Sequence, residues 1–418
     1  MPSTTKINPN EYTLRLLTNE DHVQFTRYQN ADTWKGRLSK EKYMMREATL
    51  LKSKIASSND NKLYVFALHH NDEDEKFFCS VELLVRESWR FEVEDGEAVR
   101  RSIKSGCIGG VYTYPEYRGK GYASIMIDRL VEIAKEEYIG QDGFIFLYSE
   151  VGEYYSRFGF KSLEVPITHV PLQVEDSVND KFEKLVESNP YEVELVNYHE
   201  FEPIFKKFNS ACYAKFLSET KKDGKPRVSI DPSSDYIDWF HLRAKYLSHH
   251  IYYDEVPLID YQNESYESII KNYENIEPSK FGIEITNNGE IVGFIVWSYE
   301  FQVNDDTNKD ENYITIIQTY VNENYNYNDT LLNLIELTKS YLEKQDLFKD
   351  FKNELIKLVI WESELNDSLI EKLNHRYNSK LGIENGSRSA ILIYNGEDQN
   401  SLINGDLIWE LNNKLPWF

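Results

Sequence analysis

A chain of 418 residues is too long for one compact core and suits two domains, and its 41% hydrophobic and 14% aromatic content supplies core material. A net charge of −23 argues against a nucleic-acid or anionic-membrane partner, either of which requires a basic footprint. That charge is compatible with a cationic substrate and, equally, with a solvated acidic surface. In chain order, residues 11–17 (EYTLRLL) alternate like a half-buried strand, and Asn19, Glu20 and Asp21 carry helix-start chemistry. A long helical region is expected to follow to about Ser57, broken near Trp34, Lys35 and Gly36. Residues 63–69 and 77–85 read as two strands joined by the acidic turn NDEDEK, and residues 89–101 as a charged loop.

Residues 106–135, GCIGGVYTYPEYRGKGYASIMIDRLVEIAK, read as strand, turn and helix. Cys107 to Thr113 suit a strand, and Ile127, Leu130, Val131 and Ala134 fall on one face of a helix. Between them, Gly119 and Gly121 allow positive φ, so that successive amides point into one concavity at a helix N-terminus, where an anion is favoured. The geometry suits a pyrophosphate; the plainer alternative is a surface turn entering a core helix. The turn matches neither GxxxxGK[ST] nor GxGxxG.

Residues 144–148 read as the next strand, followed by YYSRFGF at 154–160. Residues 161–174 hold two short extended runs suited to closing strands, and the charged stretch around 175–189 reads as a domain boundary. The second half repeats the first in outline. A strand at 191–196 and a helix over 201–216 precede KKDGKPR, a solvated loop. Strands at 281–286 and 291–297 flank the hairpin turn Asn287, Asn288 and Gly289. A strand at 314–321, a helix over 331–344, a strand at 358–361 and a helix over 369–377 complete the order. NENYNYNDT stands where RGKGYA stood.

The turn resembles the acetyl-CoA signature of the GCN5-related N-acetyltransferases (GNAT), Arg-x-x-Gly-x-Gly/Ala, with Arg118, Gly121 and Ala123 in the fixed positions. YYSRFGF is similar to that family's aromatic-Tyr-x-x-x-Gly-Phe helix, with Tyr155 in the Tyr position. Residues 149–159 are also locally similar to the enhanced intracellular survival acetyltransferases of mycobacteria, and the chain as a whole resembles the fungal L-lysine N6-acetyltransferases. The resemblance implies a mixed α/β (α+β) fold. An acetyl-CoA-binding GNAT catalytic domain would span 1–175 and a linker 176–189. A degenerate GNAT-like domain at 190–418, binding no CoA of its own, would wall the acceptor site.

It further implies that Arg118, Gly119, Lys120, Gly121, Tyr122, Ala123 and Ser124 cradle the cofactor. Val111, Tyr112 and Thr113 would hold pantetheine by strand-like pairing, with a strand N–H near Val111 facing the thioester oxygen. Tyr155 would be the general acid for the departing thiolate, against the alternative of a phenol bonded within the helix packing. The first helical region would border the acceptor, giving Trp34 a place in the pocket or a simple packing role at a helix break. The base is expected among Glu150, which could also contact substrate, Glu153, and the terminal carboxylate of Phe418, placed by the apolar tail LNNKLPWF.

The implied activity is acetyl transfer to the N6 amine of free L-lysine, a step of lysine degradation. Polyamines, other small amines or protein lysines are rival acceptors, and a non-catalytic acetyl-CoA sensor is the rival class. Cys79, Cys107 and Cys212 make no disulfide framework and fit a reducing compartment. The adjacent pairs His69-His70 and His249-His250 do not suggest a metal site, and no metal is expected. The polar N-terminus and the lack of a run of ~20 apolar residues predict a soluble, cytoplasmic protein with no membrane partner. Oligomeric state is not legible.

Overall fold

The computed structural model describes residues 7–58, 60–173, 180–233, 235–253, 259–304, 307, 309–344 and 354–416. The first half begins with β1 (Tyr12–Leu16), α1 (Glu20–Trp34), α2 (Lys40–Leu50) and the short α3 (Lys54–Ser57). Asn19 caps α1 by accepting from the Asp21 amide at 2.9 Å, as its helix-start chemistry predicts. Strands β2 (Lys62–His70), β3 (Glu73–Glu94) and β4 (Glu97–Thr113) form an antiparallel meander. Helix α4 (Tyr122–Ile133) then crosses over to β5 (Phe144–Ser149), which runs parallel to β4. The short strands β6 (Lys161–Ser162) and β7 (Ile167–Pro171) follow.

The second half opens with α5 (Lys181–Glu187), inside the stretch read as a linker, then β8 (Glu192–Asn197), α6 (Glu202–Asp223) and β9 (Arg227–Ile230). Helices α7 (Asp235–Tyr252) and α8 (Tyr266–Tyr273) precede β10 (Lys280–Asn287) and β11 (Glu290–Glu300). The two-residue β12 (Val303–Asn304) and β13 (Lys309–Asp310) lead to β14 (Asn312–Val321), α9 (Tyr327–Leu342) and β15 (Leu355–Trp361). Last come α10 (Asp367–Tyr377), β16 (Lys380–Ile383), β17 (Arg388–Ile393), α11 (Gly396–Asn404) and β18 (Ile408–Trp409).

Two sheets of matching order result. One runs β1-β2-β3-β4-β5-β17-β6 and the other β8-β10-β11-β14-β15-β7-β16. The halves exchange strands: β7 lies between β15 and β16, β17 lies between β5 and β6, and β9, with β18 beside it, joins the first sheet along β3. This corrects two expectations. Residues 167–171 do not close the first sheet, and a cut at 176–189 would remove β7 from the second sheet and β9, β17 and β18 from the first. Short strands carry no mark of their destination, because an apolar pentapeptide fits either sheet.

The expected loop at 89–101 is instead the far end of a long β3–β4 hairpin, turned by Asp95 and Gly96 at φ 51° and 83°. Trp89 and Phe91 are buried there, meeting Tyr213 and, for Phe91, Phe216 of α6, while β9 pairs along residues 88–91. Burying two such aromatics contributes roughly 1.5–3 kcal/mol each, which outweighs the polar local pattern. Arg227, placed in a solvated loop by its neighbours, is likewise buried between Asp223 and Glu410.

Because β5 is buried along its whole length and paired on both sides, residues 1–175 alone would expose an unpaired, apolar strand edge. That fragment is expected to show no cooperative thermal transition by circular dichroism, and to fold when residues 176–418 are co-expressed with it. A cooperative transition of the fragment alone would mean that the exchanged strand is dispensable.

Helix α7 is buried on nearly every side and packs against α2, α3 and β11, so it joins the two halves. Tyr246 donates to the Lys42 carbonyl at 2.7 Å, and Lys52 donates to the Tyr261 and Glu264 carbonyls. Arg37 pairs with Asp310 and Glu354 at 3.1 and 3.0 Å. No helix among the described residues is long and apolar enough to cross a membrane.

Candidate active site

Strands β4 and β5 pair in parallel from Ser105↔Phe144 to Ile108↔Leu147 and then part. Beyond that point β4 stays attached to β3, but its register skips Gly110 and Val111. Gly110 sits at φ 57°, which makes a bulge natural there. The result is a V-shaped opening with the backbone of Gly109 to Thr113 on one side and Tyr148 and Ser149 on the other. Such an opening offers main-chain donors and acceptors to an extended ligand in the manner of an added strand.

The turn after β4 is built as its glycines predict. Gly121 lies at φ 95° and is the N-cap of α4, where no side chain caps the helix. The space that Cβ atoms on Gly119 and Gly121 would occupy is empty to 4 Å. The first amides of α4 therefore face a clear concavity with the positive end of the helix behind them, which suits a phosphate group. Arg118 donates from Nε to the Thr113 carbonyl at 3.0 Å and stacks over Tyr112 at 5.0 Å, tying the turn to the end of the strand. Lys120 closes the turn on the Glu116 carbonyl at 3.0 Å. Ser124 Oγ lies 3.2 Å from the Tyr154 hydroxyl, which fastens α4 to the following block.

That block is a 3-10 turn over Tyr154–Phe158, shorter than the helix implied by the resemblance, and it ends on Gly159 at φ 91°. Tyr155 is buried, and burial, followed by Tyr154 and Glu150, pushes its phenol well above the usual tyrosine range. The phenol is therefore protonated at neutral pH.

A cavity of about 910 Å³ opens from the splay and is walled by both halves of the chain. It brings together Trp34, Val111, Glu150 and Tyr155. Tyr112, Thr113 and residues 118–124 are not among its lining. Trp34 is half-buried and edge-on to Tyr112 at 5.8 Å, so it packs and lines the cavity at once. Glu153 is not in the lining and pairs outward with Arg388 at 3.2 Å. Phe418 lies outside the described residues. The tail before it is docked: Leu415 is buried, Tyr148 donates to the Asn413 carbonyl at 2.9 Å, and Arg86 donates to the Pro416 carbonyl at 2.8 Å.

Sequence reasoning missed Glu82. It stands on β3 between the fully buried Val81 and Leu83, and its side chain lies against Gly110 at the bulge, within 3.2 Å of where a Cβ there would sit. Desolvation pushes its carboxyl up to about 7; Arg27 and Arg46 oppose the shift, while Glu47 adds to it. The available signal was a lone acid in the apolar run FFCSVELLV, since a carboxylate is rarely carried into a core strand without a use. Glu150, by contrast, is exposed at the mouth of the cavity.

The second half repeats the splay and closes it. Strands β14 and β15 pair in parallel only through Thr315↔Val359. Beyond that point Glu364 takes the Thr319 hydroxyl and amide, at 2.6 and 3.3 Å, and also accepts from Asn413 of the tail. Helix α9 is capped by the Asn326 side chain, which accepts from the Asp329 amide at 3.0 Å, and Asp329 adds a negative charge to its first turn. The anion site open in α4 is thus filled by the protein itself. Among the described residues no group of three or more His, Cys, Asp or Glu is placed to hold a metal ion.

A splayed parallel strand pair, an uncapped glycine turn and a walled cavity define the class: this is an acetyltransferase enzyme of the GNAT superfamily, with a second, degenerate GNAT-like unit in its C-terminal half. The family model described as the LYC1 GNAT-like C-terminal domain matches residues 177–418, more than half of the chain, and the chain belongs to that family. The Acetyltransferase (GNAT) domain model matches residues 99–163. An uncharacterized protein of Saccharomyces cerevisiae is 24% identical over 448 residues, spanning 99% of this chain and 100% of its own. Among solved structures, a probable N-acyltransferase of Enterococcus faecalis aligns at 11% identity and TM-score 0.48 over 91% of this chain and 72% of its own. A GCN5-related N-acetyltransferase of Anabaena variabilis aligns at 12% identity and TM-score 0.47 over 92% and 73%.

Proposed function

We propose that the chain transfers the acetyl group of acetyl-CoA to the side-chain amine of a small molecule, with free L-lysine as the acceptor. The observation that carries the reaction is the juxtaposition, in one cavity, of Glu82, the splayed backbone at Val111 and the protonated Tyr155. The lysine acceptor rests on the resemblance of the whole chain to the fungal enzymes. A cavity walled on both sides favours a small acceptor over a protein tail.

The residues present fit a CoA thioester: the α4 turn offers amides to a pyrophosphate, and the parted strands offer backbone to the pantetheine amides. Acetyl-CoA supplies the activated acyl group. The chain supplies the rest. Glu82 takes the proton of the incoming ammonium, whose ordinary pKa of ~10.4 leaves little of it nucleophilic at neutral pH. The free amine forms the new C–N bond as the C–S bond breaks. The Val111 amide is the donor available to the carbonyl oxygen, Tyr155 protonates the departing sulfur, and the second proton shed by the new amide nitrogen restores the Tyr155 phenol. A base whose pKa lies near the working pH serves better than a solvated carboxylate, so Glu82 is preferred to Glu150 and to the Phe418 terminus.

Tyr155→Phe is expected to lower kcat roughly 10- to 10⁴-fold with little change in acetyl-CoA affinity, because only a proton donor is lost. The assay is acetyl transfer over free amino acids, polyamines and a histone-tail peptide, following thiol release. An unchanged kcat in a chemistry-limited assay would return Tyr155 to a packing role, and absence of turnover with every amine would leave the sensor reading.

A further inference from the structure

Helix α1 turns one stripe of residues, Arg27, Asn30 and Trp34, toward the cavity at helical spacing. Asn30 and Trp34 line the cavity, and Trp34 meets Tyr112 of β4. Ala31, beside that stripe, packs in the same core cluster as Leu84, which shares a face of β3 with Glu82. Arg27, one turn before Asn30, is 1% exposed and is not among the lining. Other arginines buried this deeply are bonded: Arg86 donates to the Pro416 carbonyl, and Arg227 donates to Asp223 and Glu410. The Nε and Nη2 of Arg27 are buried without a hydrogen-bond partner among the described residues. A buried charge left in that state costs stability, so its retention points to a use other than folding.

The charged groups that act on Glu82 are Arg27 from α1 and Glu47 and Arg46 from α2, while β4 meets it with the uncharged Gly110. The α2 groups are committed elsewhere. Arg46 is held by Glu47 at 2.6 Å, and the neutral phenol of Tyr43 donates to Asn30 at 3.1 Å. Burial pushes the Glu82 carboxyl up, and Arg27 is the largest charge opposing that rise, ahead of Arg46. We propose that Arg27 is a positioning residue for the transfer: its guanidinium, buried behind the α1 wall, holds Glu82 ionised and ready to take the proton of the acceptor ammonium. A charge that acts without bonding the carboxylate suits that task. A close pair such as Arg46 with Glu47 would occupy the lone pairs that must receive the proton, and would hold the acid ionised too firmly to keep it. This rests on the reading of Glu82 as the base and adds what sets the pH at which that base works.

The test is the pH profile of kcat/KM for the acceptor. In Arg27→Met, which keeps an apolar stem and drops the charge, the acid limb is expected to move up by about 1 pH unit. That lowers kcat/KM about 10-fold at pH 6 and by less than about twofold at pH 9. Arg27→Lys keeps the charge and should bring the limb back toward its wild-type place. Arg27→Met should also hold or raise Tm, because it removes an unpaired buried charge. Loss of activity by one factor at every pH, a variant that does not fold, or a limb that stays in place would overturn the role of Arg27. So would a limb displaced as far in Arg27→Lys as in Arg27→Met. If Glu82→Gln keeps the acid limb, the base reading itself fails and the role of Arg27 falls with it; if that limb is lost but Arg27→Met leaves it unmoved, Arg27 alone is struck. If no amine is acetylated, difference infrared spectroscopy takes the place of the assay. The protonated carboxyl band that Glu82→Gln lacks should titrate at higher pH in Arg27→Met than in the wild type, and equal midpoints would overturn the proposal.

Discussion

Glu82→Gln is expected to lower kcat by roughly 10²- to 10⁴-fold, the usual worth of a general base, without weakening acetyl-CoA binding. The substitution keeps the size of the side chain and the fit against Gly110 at the bulge. It removes the ability to accept a proton, together with the charge that Arg27 and Arg46 meet. The pH profile makes the assignment specific. Burial holds the carboxyl at about 7, so it is protonated and inactive below that pH and becomes a competent base above it. In the wild type, kcat/KM for the acceptor should therefore fall as pH drops through about 7, the value for the free enzyme. In Glu82→Gln that inflection should vanish, leaving only the rise that follows the acceptor amine toward its own pKa of ~10.4. A variant that keeps the inflection would move the base to Glu150 or to the Phe418 carboxylate. Extension of the C-terminus by a tag would then separate those two.

Gly121→Glu should weaken acetyl-CoA binding by roughly 100-fold or more while leaving the chain folded. Two effects act together. At φ 95° the backbone sits where an L side chain costs roughly 1–2 kcal/mol, a loss that a stability of about 5–15 kcal/mol absorbs. The new carboxylate then stands in the open space before the first amides of α4, a favourable position for the helix itself. It occupies the anion site from within, as Asn326 and Asp329 do in the second unit. Calorimetry with CoA and circular dichroism check the two halves of the expectation. Unchanged affinity in a folded variant would remove the turn from the cofactor site. Gly121→Ala carries the strain without the charge and should fall between the two.

Much of this site was legible in the chain because its signals are local. Gly119 and Gly121 needed positive φ, the apolar residues after them needed one helix face, and a helix beginning at glycine has no side chain to cap it. The absence of that turn after β14 was equally plain, and so was the hairpin turn at Asn288 and Gly289, which stand at φ 51° and 79°. Tyr155 was singled out because a family pattern marks it, and it lines the cavity.

The rest is non-local. Glu82 is a lone acid in an apolar run, but only the bulge of β4 shows what it lies against. Trp89 and Phe91 form a strand because α6 and β9, more than a hundred residues away, cover them. Strands β7 and β17 are each too short to specify a sheet, and which edge they complete depends on the other half being present. Sequence alone determined the open glycine turn before α4, because backbone conformation at glycine and helix capping involve neighbours a few residues apart. Only the tertiary structure decided the surroundings of Glu82, the strand exchange and which side chains wall the cavity, because desolvation, sheet-edge pairing and packing depend on what folding brings near.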